Sequence, residues 1–137
     1  IKAGIDACMR EKVWLKSGGS IIIQPTEALT VIDVNTEKAI KGKCSIQEMF
    51  YKVNMEAAEE IAYQLRLRNI TGIIMIDFID MDDMSHRKSL MQTLDEYVKP
   101  DPVKTTVVDM TALNLVEMTR KKTRKPVWEQ LRDLENI

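Results

Sequence analysis

The sequence predicts an α/β domain in which a mixed β-sheet is flanked by helices. Two short apolar runs rich in β-branched residues, 29–35 and 72–80, predict buried strands, because they are too short for helices and end in polar residues. A long amphipathic helix is predicted between them, and the order strand, helix, strand is typical of an α/β layer. The length of 137 residues suits one domain with one core.

Composition and charge set the broad class. The chain is 45% apolar and 30% charged, which is ordinary for a soluble globular protein, and no apolar run approaches the ~20 residues of a membrane span. The net charge of −1 argues, by itself, against a generally basic nucleic-acid binder. Cys8 and Cys44 lie far apart without a C-x-x-C pattern, so neither a zinc site nor a disulfide framework is predicted. We expect reduced thiols and a cytoplasmic location. Because the chain opens at Ile1 and not at Met, we expect a piece of a larger protein.

The first third of the chain predicts a hairpin followed by a strand. Residues 1–10 are compatible with a short helix, and strands are predicted at 13–15, 20–24 and 29–35. Gly18-Gly19 between the first two strands predicts a tight turn, because glycine reaches positive φ. A glycine-rich turn can also cradle phosphate, but the lysine and Ser/Thr pattern of a P-loop is absent.

The middle of the chain predicts one long helix. After a polar loop over 36–43, Ser45 and Glu48 have the spacing of a capping box, which begins a helix over about 46–68. Its apolar stripe recurs at three- and four-residue steps and comprises Ile46, Met49, Phe50, Val53, Ala57, Ile61 and Leu65. The helix is expected to end near Asn69 and Gly72.

The last third is less regular. A second helix is predicted from Asp83 or Ser85 to Pro100, with Leu90, Met91, Leu94 and Val98 facing inward. A strand is predicted at 105–108, residues 113–122 fit a strand or a helix, and 128–134 are weakly helical.

Two carboxylates at strand ends are the candidate chemical groups. Side chains alternate between the two faces of a strand. Asp33 and Asn35 therefore share one face of their strand, and Asp77 and Met75 share one face of the other strand. If the two strands are neighbours, Asp33 and Asp77 can converge on one cation, and carboxylates suit Mg²⁺ or Mn²⁺. Alternatively, each Asp starts a turn or caps a helix.

Other charged residues have two interpretations each. Asp80 falls on the face opposite Asp77 if the strand stays regular, and Asp82-Asp83 are predicted to cap the second helix rather than bind metal. His86 is predicted to lie at the surface. A basic cluster either forms a solvated face or contacts nucleic-acid phosphates, with Lys104 as a companion; it comprises Arg120, Lys121, Lys122, Arg124 and Lys125.

Four strings of this sequence resemble the ribonuclease E/G family of bacterial endoribonucleases. They are KVWLKSGGSIII (12–23), TEALTVIDVNT (26–36), NMEAAEEIAYQLRLRNITGIIMIDFIDM (54–81) and LVEMTRKKTRKP (115–126). The resemblance runs from residue 12 to about 131. It implies the DNase I-like subdomain of the catalytic region, without the family's S1 and 5′-sensor regions.

The resemblance also implies a chemistry. The family's metal aspartates fall on Asp33 and Asp77, and its supporting asparagine falls on Asn35. The implied cofactor is Mg²⁺, with Mn²⁺ as a substitute, and the implied reaction is hydrolysis of single-stranded messenger and ribosomal RNA to 5′-phosphate and 3′-hydroxyl ends. Residues 132–137 contain no cysteine, so the family's bridging zinc is not supported. We expect little activity from an isolated fragment, and homo-oligomers would involve regions partly outside this chain. The alternative is a non-catalytic RNA-binding or assembly module that keeps the fold.

Overall fold

A single six-stranded sheet carries the candidate residues. The computed structural model describes residues 10–40, 42–122, 131–132 and 134–135. The strands are β1 (Lys12–Trp14), β2 (Ser20–Pro25), β3 (Thr30–Asn35), β4 (Gly72–Asp77), β5 (Thr105–Met110) and β6 (Val116–Arg120), and the helices are α1 (Ile46–Leu67) and α2 (Met84–Val98). The strand order is β1-β2-β3-β4-β6-β5. Only the β3–β4 pair is parallel among these neighbours, so the predicted mixed α/β sheet is confirmed.

The hairpin between β1 and β2 forms where the glycine pair predicts it. The Leu15 N–H donates to Gly19 O at 2.8 Å, and Gly18 has a φ of +98°, which favours glycine. A Cβ on Gly18 would lie 3.0 Å from the carbonyl carbon of Lys38. The turn therefore requires glycine both for its backbone conformation and for its contact with the loop after β3.

Helix α1 begins and ends close to its predicted bounds. Ser45 Oγ accepts a hydrogen bond from the Glu48 N–H at 3.1 Å, which satisfies one of the free donors of the first turn. At the other end Asn69 has a φ of +50°, and the Ile70 N–H donates to Leu65 O at 2.9 Å. This left-handed residue with its return hydrogen bond ends the helix and turns the chain into β4.

Both helices cover one face of the sheet. Alternate strand residues are buried, and the buried apolar residues of β3, β4 and β6 are Ile32, Val34, Ile74, Ile76, Val116 and Met118. The apolar stripe of α1 and the buried face of α2, which includes Leu90, Leu94 and Val98 as predicted, belong to the same core. The opposite face of the sheet carries Asp33, Asn35 and Asp77 and remains partly open.

The structure also shows the secondary structure of segments for which the sequence pattern leaves alternatives. Residues 113–122 contain strand β6 and not a helix, because β6 pairs with β4 on one side and β5 on the other. Strand β4 ends at Asp77 rather than near Asp80. The predicted helix over 1–10 lies outside the described residues except for residue 10. Of the predicted helix over 128–134, residues 131, 132 and 134 are described, and they are helical. In the described part of the chain, no helix is both long enough and apolar enough to cross a membrane.

Candidate metal centre

Asp33 and Asp77 face each other directly across the parallel pair of strands. The register pairs Thr30 with Ile74 and Asp33 with Asp77, so the two strands are neighbours, as their convergence requires. Neighbouring strands lie ~4.8 Å apart, and paired residues point to the same face. The connection that brings them together is α1, which leads from the end of β3 back to the start of β4. Two carboxylates thus stand side by side at the carboxyl ends of two strands.

An open cleft of ≈ 310 Å³ surrounds this pair. Its walls come from the ends of β3 and β4, from the segments that follow them and from α1, and they include Asp33, Asn35, Thr36, Phe50, Asp77 and Asp80. Asn35 lies two residues beyond Asp33 on the same strand, so its amide shares the face of that carboxylate. The cleft is therefore polar at its base and open to solvent.

The carboxylates repel one another in the absence of a cation. Burial raises the pKa of the Asp77 carboxyl, and the negative charges of Asp33 and Asp80 raise it further. A regular strand would place Asp80 on the opposite face, but β4 ends at Asp77 and the alternation stops there. Asp80 instead lines the same cleft. A cation bound here would relieve this repulsion.

The donor set suits a hard divalent cation. Two adjacent carboxylates and one amide offer only oxygen ligands, which Mg²⁺ and Mn²⁺ prefer, whereas zinc favours histidine nitrogen and cysteine sulfur. Within the described ranges no group of three or more His, Cys, Asp or Glu side chains is placed to hold a metal ion. Magnesium is typically held by one or two protein carboxylates, with water and substrate phosphate completing the shell. The pair therefore fits Mg²⁺ in a site completed by substrate.

A larger cavity lies elsewhere and carries different chemistry. It has a volume of ≈ 420 Å³ and is lined by Trp14, Tyr63 and Tyr97 together with glutamates of α1. Two of these glutamates accept hydrogen bonds within the protein, Glu56 from the Ser17 N–H and Glu60 from Gln64. The volume of a cavity therefore does not identify the candidate site. The smaller cleft is the candidate because it holds two aspartates whose charges repel each other.

The structure corrects the interpretation of Arg120. The side chain of Arg120 is only 3% exposed, and its Nε donates to Asp101 Oδ2 at 2.8 Å. Its Nη1 donates to Asn69 Oδ1 at 2.8 Å and to Ile70 O at 3.2 Å. Arg120 shares the buried face of β6 with Met118, so it links the end of α1 to the segment before β5. This placement does not support its predicted contact with RNA.

The described lysines of the predicted basic cluster, together with Lys104, lie at the end of the sheet away from the aspartates. Lys104, Lys121 and Lys122 are exposed, and the Lys121 N–H donates to Lys104 O at 2.9 Å. Their neighbour Arg120 pairs with Gly72 at the start of β4, five residues before Asp77, which corresponds to roughly 16 Å along a strand. The lysines therefore cluster together, but away from the aspartates. Arg124 and Lys125 lie outside the described residues.

His86 lies in a different environment from the one that its sequence-based interpretation gave it, and Asn54 had no such interpretation. His86, expected at the surface, is partly buried and stacks on Tyr51 with ring centroids 4.1 Å apart. Its Nε2 lies 3.8 Å from Asp83 Oδ2, and Asp83 caps α2 as predicted by accepting from the Ser85 N–H. Asn54 was missed, although it is fully buried against the segment after Asp77. Its position on the apolar stripe of α1 was the available signal, since a polar residue there needs a buried partner.

Comparison with known proteins places the chain in a family. A model of the ribonuclease E/G family matches residues 1–123. Ribonuclease G of Escherichia coli (strain K12) is 47% identical over 123 residues, which cover 90% of this chain and 25% of that protein. Ribonuclease G of Haemophilus influenzae is 44% identical over 133 residues, covering 97% of this chain and 27% of that protein. Ribonuclease E of Nostoc sp. (strain PCC 7120) is 41% identical over 133 residues, covering 97% of this chain and 19% of that protein.

The matched region contains the whole candidate site. Asp33, Asn35 and Asp77 all lie within residues 1–123. The chain spans about a quarter of the length of the ribonuclease G relatives it matches. Since the family model covers nearly all of the described residues, this chain belongs to the ribonuclease E/G family.

Proposed function

We propose that this chain supplies the metal centre of an endoribonuclease that hydrolyses phosphodiester bonds of single-stranded RNA. The observation that carries the proposal is the direct pairing of Asp33 with Asp77 across β3 and β4 at the base of an open cleft. The relatives are named ribonuclease G and ribonuclease E, which supports RNA as the substrate. The proposed products carry a 5′-phosphate and a 3′-hydroxyl, and messenger and ribosomal RNA in the cytoplasm are the proposed substrates.

Three side chains have roles in this proposal: two hold the metal ion and the third orients one of them. Asp33 and Asp77 hold one Mg²⁺, for which Mn²⁺ can substitute. When bound, the ion supplies a Lewis acid for the scissile phosphate and lowers the pKa of the attacking water. Asn35 donates its amide to the Asp33 carboxylate and fixes its orientation, as outer-shell groups do at metal sites. The openness of the cleft allows an RNA strand to reach the pair of carboxylates from solvent.

The exposed lysines extend the site in this proposal. Lys104, Lys121 and Lys122 lie beyond the pair of Arg120 with Gly72, which is itself roughly 16 Å from Asp77 along the strands, so they would contact phosphates several nucleotides from the cleaved bond. Such contacts add affinity without reading sequence. The same separation favours an alternative, a non-catalytic RNA-binding or assembly module, because RNA could bind the lysines without engaging the aspartates.

Substitution of each aspartate in the full-length parent protein tests the proposal. Asp33→Asn and Asp77→Asn are expected to lower the Mg²⁺-dependent cleavage rate of a 5′-labelled single-stranded RNA by about 100-fold or more, because loss of a ligand removes several kcal/mol of transition-state stabilisation. Asp95→Asn, on the exposed surface of α2, is the matched control and should cleave like the wild type.

The outcomes separate the two candidate functions. Loss of cleavage with unchanged RNA affinity would support the metal centre. Wild-type cleavage by Asp77→Asn would overturn it. Tight RNA binding by a wild-type protein that does not cut in Mg²⁺ or Mn²⁺ would favour the non-catalytic module.

A further inference from the structure

Asn54 on α1 makes an unusual pair of hydrogen bonds. Its side chain is fully buried, its Nδ2 donates to Ile79 O at 2.8 Å, and its Oδ1 accepts from the Ile79 N–H at 3.0 Å. Both polar atoms of one side chain thus satisfy both polar groups of one backbone residue. A neighbouring strand would normally provide this pairing.

Ile79 lies where the sheet no longer supports the chain. The last pair of β4 with β6 is Ile76 with Val116, and its last pair with β3 is Asp77 with Asp33. Residues 78–82, here called the Asp80 loop, follow directly. Asn54 therefore bonds the backbone of Ile79 as a neighbouring strand would. Ile79 lies two residues after Asp77 and one residue before Asp80.

Two further side chains hold the same loop. Gln47 Oε1 accepts from the Asp82 N–H at 3.1 Å, and Arg87 Nε donates to Met81 O at 2.6 Å. Gln47 comes from α1 and Arg87 from α2, so the loop is attached at three points to the helical layer. Of these three attachments, the one by Asn54 holds the backbone between Asp77 and Asp80, two carboxylates that line the cleft, whereas Arg87 holds the residue that follows Asp80.

We infer that Asn54 is a positioning residue of the metal centre. Three carboxylates in one cleft repel each other, and a loop free to move would let Asp77 and Asp80 separate. Two hydrogen bonds from a buried amide fix the backbone between them, so the cleft keeps its arrangement before a cation binds. This inference rests on the proposed function, since it assigns Asn54 a purpose only if the cleft binds a divalent cation.

Mn²⁺ binding to the 137-residue chain tests the inference. The free ion gives an electron paramagnetic resonance signal that weakens on binding, which yields a dissociation constant without any measurement of activity. Asn54→Leu keeps the branched shape and the number of heavy atoms of the side chain and removes both hydrogen bonds. We expect it to weaken Mn²⁺ binding about tenfold, in the range found for outer-shell groups. Asp77→Asn is the positive control and should abolish the binding.

A matched control separates positioning from stability. Ile61 lies two turns further along α1 and is also fully buried, so Ile61→Val perturbs the same helix within the core. Its Mn²⁺ dissociation constant should stay within about twofold of wild type, measured well below the melting temperature of both variants. Hydrogen exchange of the Ile79 amide should accelerate in Asn54→Leu and not in Ile61→Val, because only the first loses the acceptor.

Each result decides between defined alternatives. If Asn54→Leu does not melt cooperatively, Asn54→Asp replaces it: this variant keeps the acceptor for the Ile79 N–H but presents an oxygen to Ile79 O. Wild-type Mn²⁺ affinity in the folded variant, together with faster exchange at Ile79, would overturn the inference and leave the metal centre intact. Absence of Mn²⁺ binding by the wild-type chain, both alone and with a single-stranded RNA that supplies phosphate, would overturn both the metal centre and the role of Asn54.

Discussion

The role of a charged residue in this chain depends on the residues that it contacts and not on its residue type alone. Arg120 belongs to a basic run in the sequence, yet its guanidinium is buried and bound to Asp101 and to the end of α1. Asp101 illustrates the balance of forces: burial opposes its ionisation, but hydrogen bonds from Arg120 and the Val103 N–H hold its pKa below the usual value. The charged pair is thus structural, and it connects three segments distant in sequence.

Removal of the Asp101 charge should destabilise the fold. Asp101→Asn leaves Arg120 buried without a counter-charge, and breaking such a pair costs about 3–5 kcal/mol. The expected result is a lower free energy of unfolding by urea at pH 7. Asp95→Asn, exposed on α2, should change it by less than about 0.5 kcal/mol.

The same variant gives a pH-dependent signature. Because the folded-state pKa of Asp101 is lowered, its contribution to stability is present above the unfolded-state value near 3.8 and is lost as pH falls through the folded-state value. Wild-type stability should therefore decline below about pH 4 more steeply than that of Asp101→Asn. Equal slopes for the two proteins would contradict the assigned pair.

Helices and strands are positioned here by their ends. Ser45 and Asp83 cap the two helices with side-chain oxygens, and Asn69 ends α1 in a left-handed conformation. Gly18 allows the β1–β2 hairpin and leaves room for the backbone of Lys38. These local signals are strong because each satisfies a backbone requirement within a few residues.

Gly18 should be more sensitive to substitution than another glycine with positive φ. Gly18→Ala incurs both a strained φ, ~1–2 kcal/mol, and a close approach to the backbone of Lys38. Gly42 has a φ of +63°, but a Cβ added there would meet nothing within 4 Å, so Gly42→Ala bears only the strain. Thermal melting of both variants should show the larger loss for Gly18→Ala, and a larger loss for Gly42→Ala would contradict the packing argument.

At the scale of the sheet, the aspartate pair and the three exposed lysines of the predicted basic cluster lie far apart. Aspartates occupy the carboxyl ends of β3 and β4, while Lys104, Lys121 and Lys122 lie at the opposite end. A substrate that uses both must extend along the strands. Under the proposed function, this arrangement favours an extended single strand of RNA over a compact ligand.

The lysine cluster predicts a salt dependence of RNA binding. If these lysines contact RNA phosphates as proposed, replacing Lys104, Lys121 and Lys122 by Ala in an Asp77→Asn background removes about three contacts. The slope of log affinity against log salt should then fall by about 2, since each contact to a single strand contributes ~0.7. A matched triple variant at exposed lysines of the helical layer, Lys52, Lys88 and Lys99, should keep the wild-type slope. An unchanged slope for the first variant would remove these lysines from the RNA path.

Elements with local signals could be predicted from the order of the amino acids alone. Alternating and three-to-four-residue periodicities predicted β3, β4 and both helices, and the Ser45, Asp83 and Gly18 signals predicted their ends, because these depend on neighbours within one or two turns. The four family-like strings also indicated the ribonuclease E/G family, which the comparisons show.

Contacts between distant segments, in contrast, required the folded chain. The register that sets Asp33 opposite Asp77, the insertion of β6 between β4 and β5, and the end of β4 that carries Asp80 into the cleft all arise from strand pairing. Burial of Arg120 and the attachment of Ile79 to Asn54 join residues 51 and 25 positions apart. Such pairings follow from the packing of the whole core, and periodicity within a single segment does not contain them.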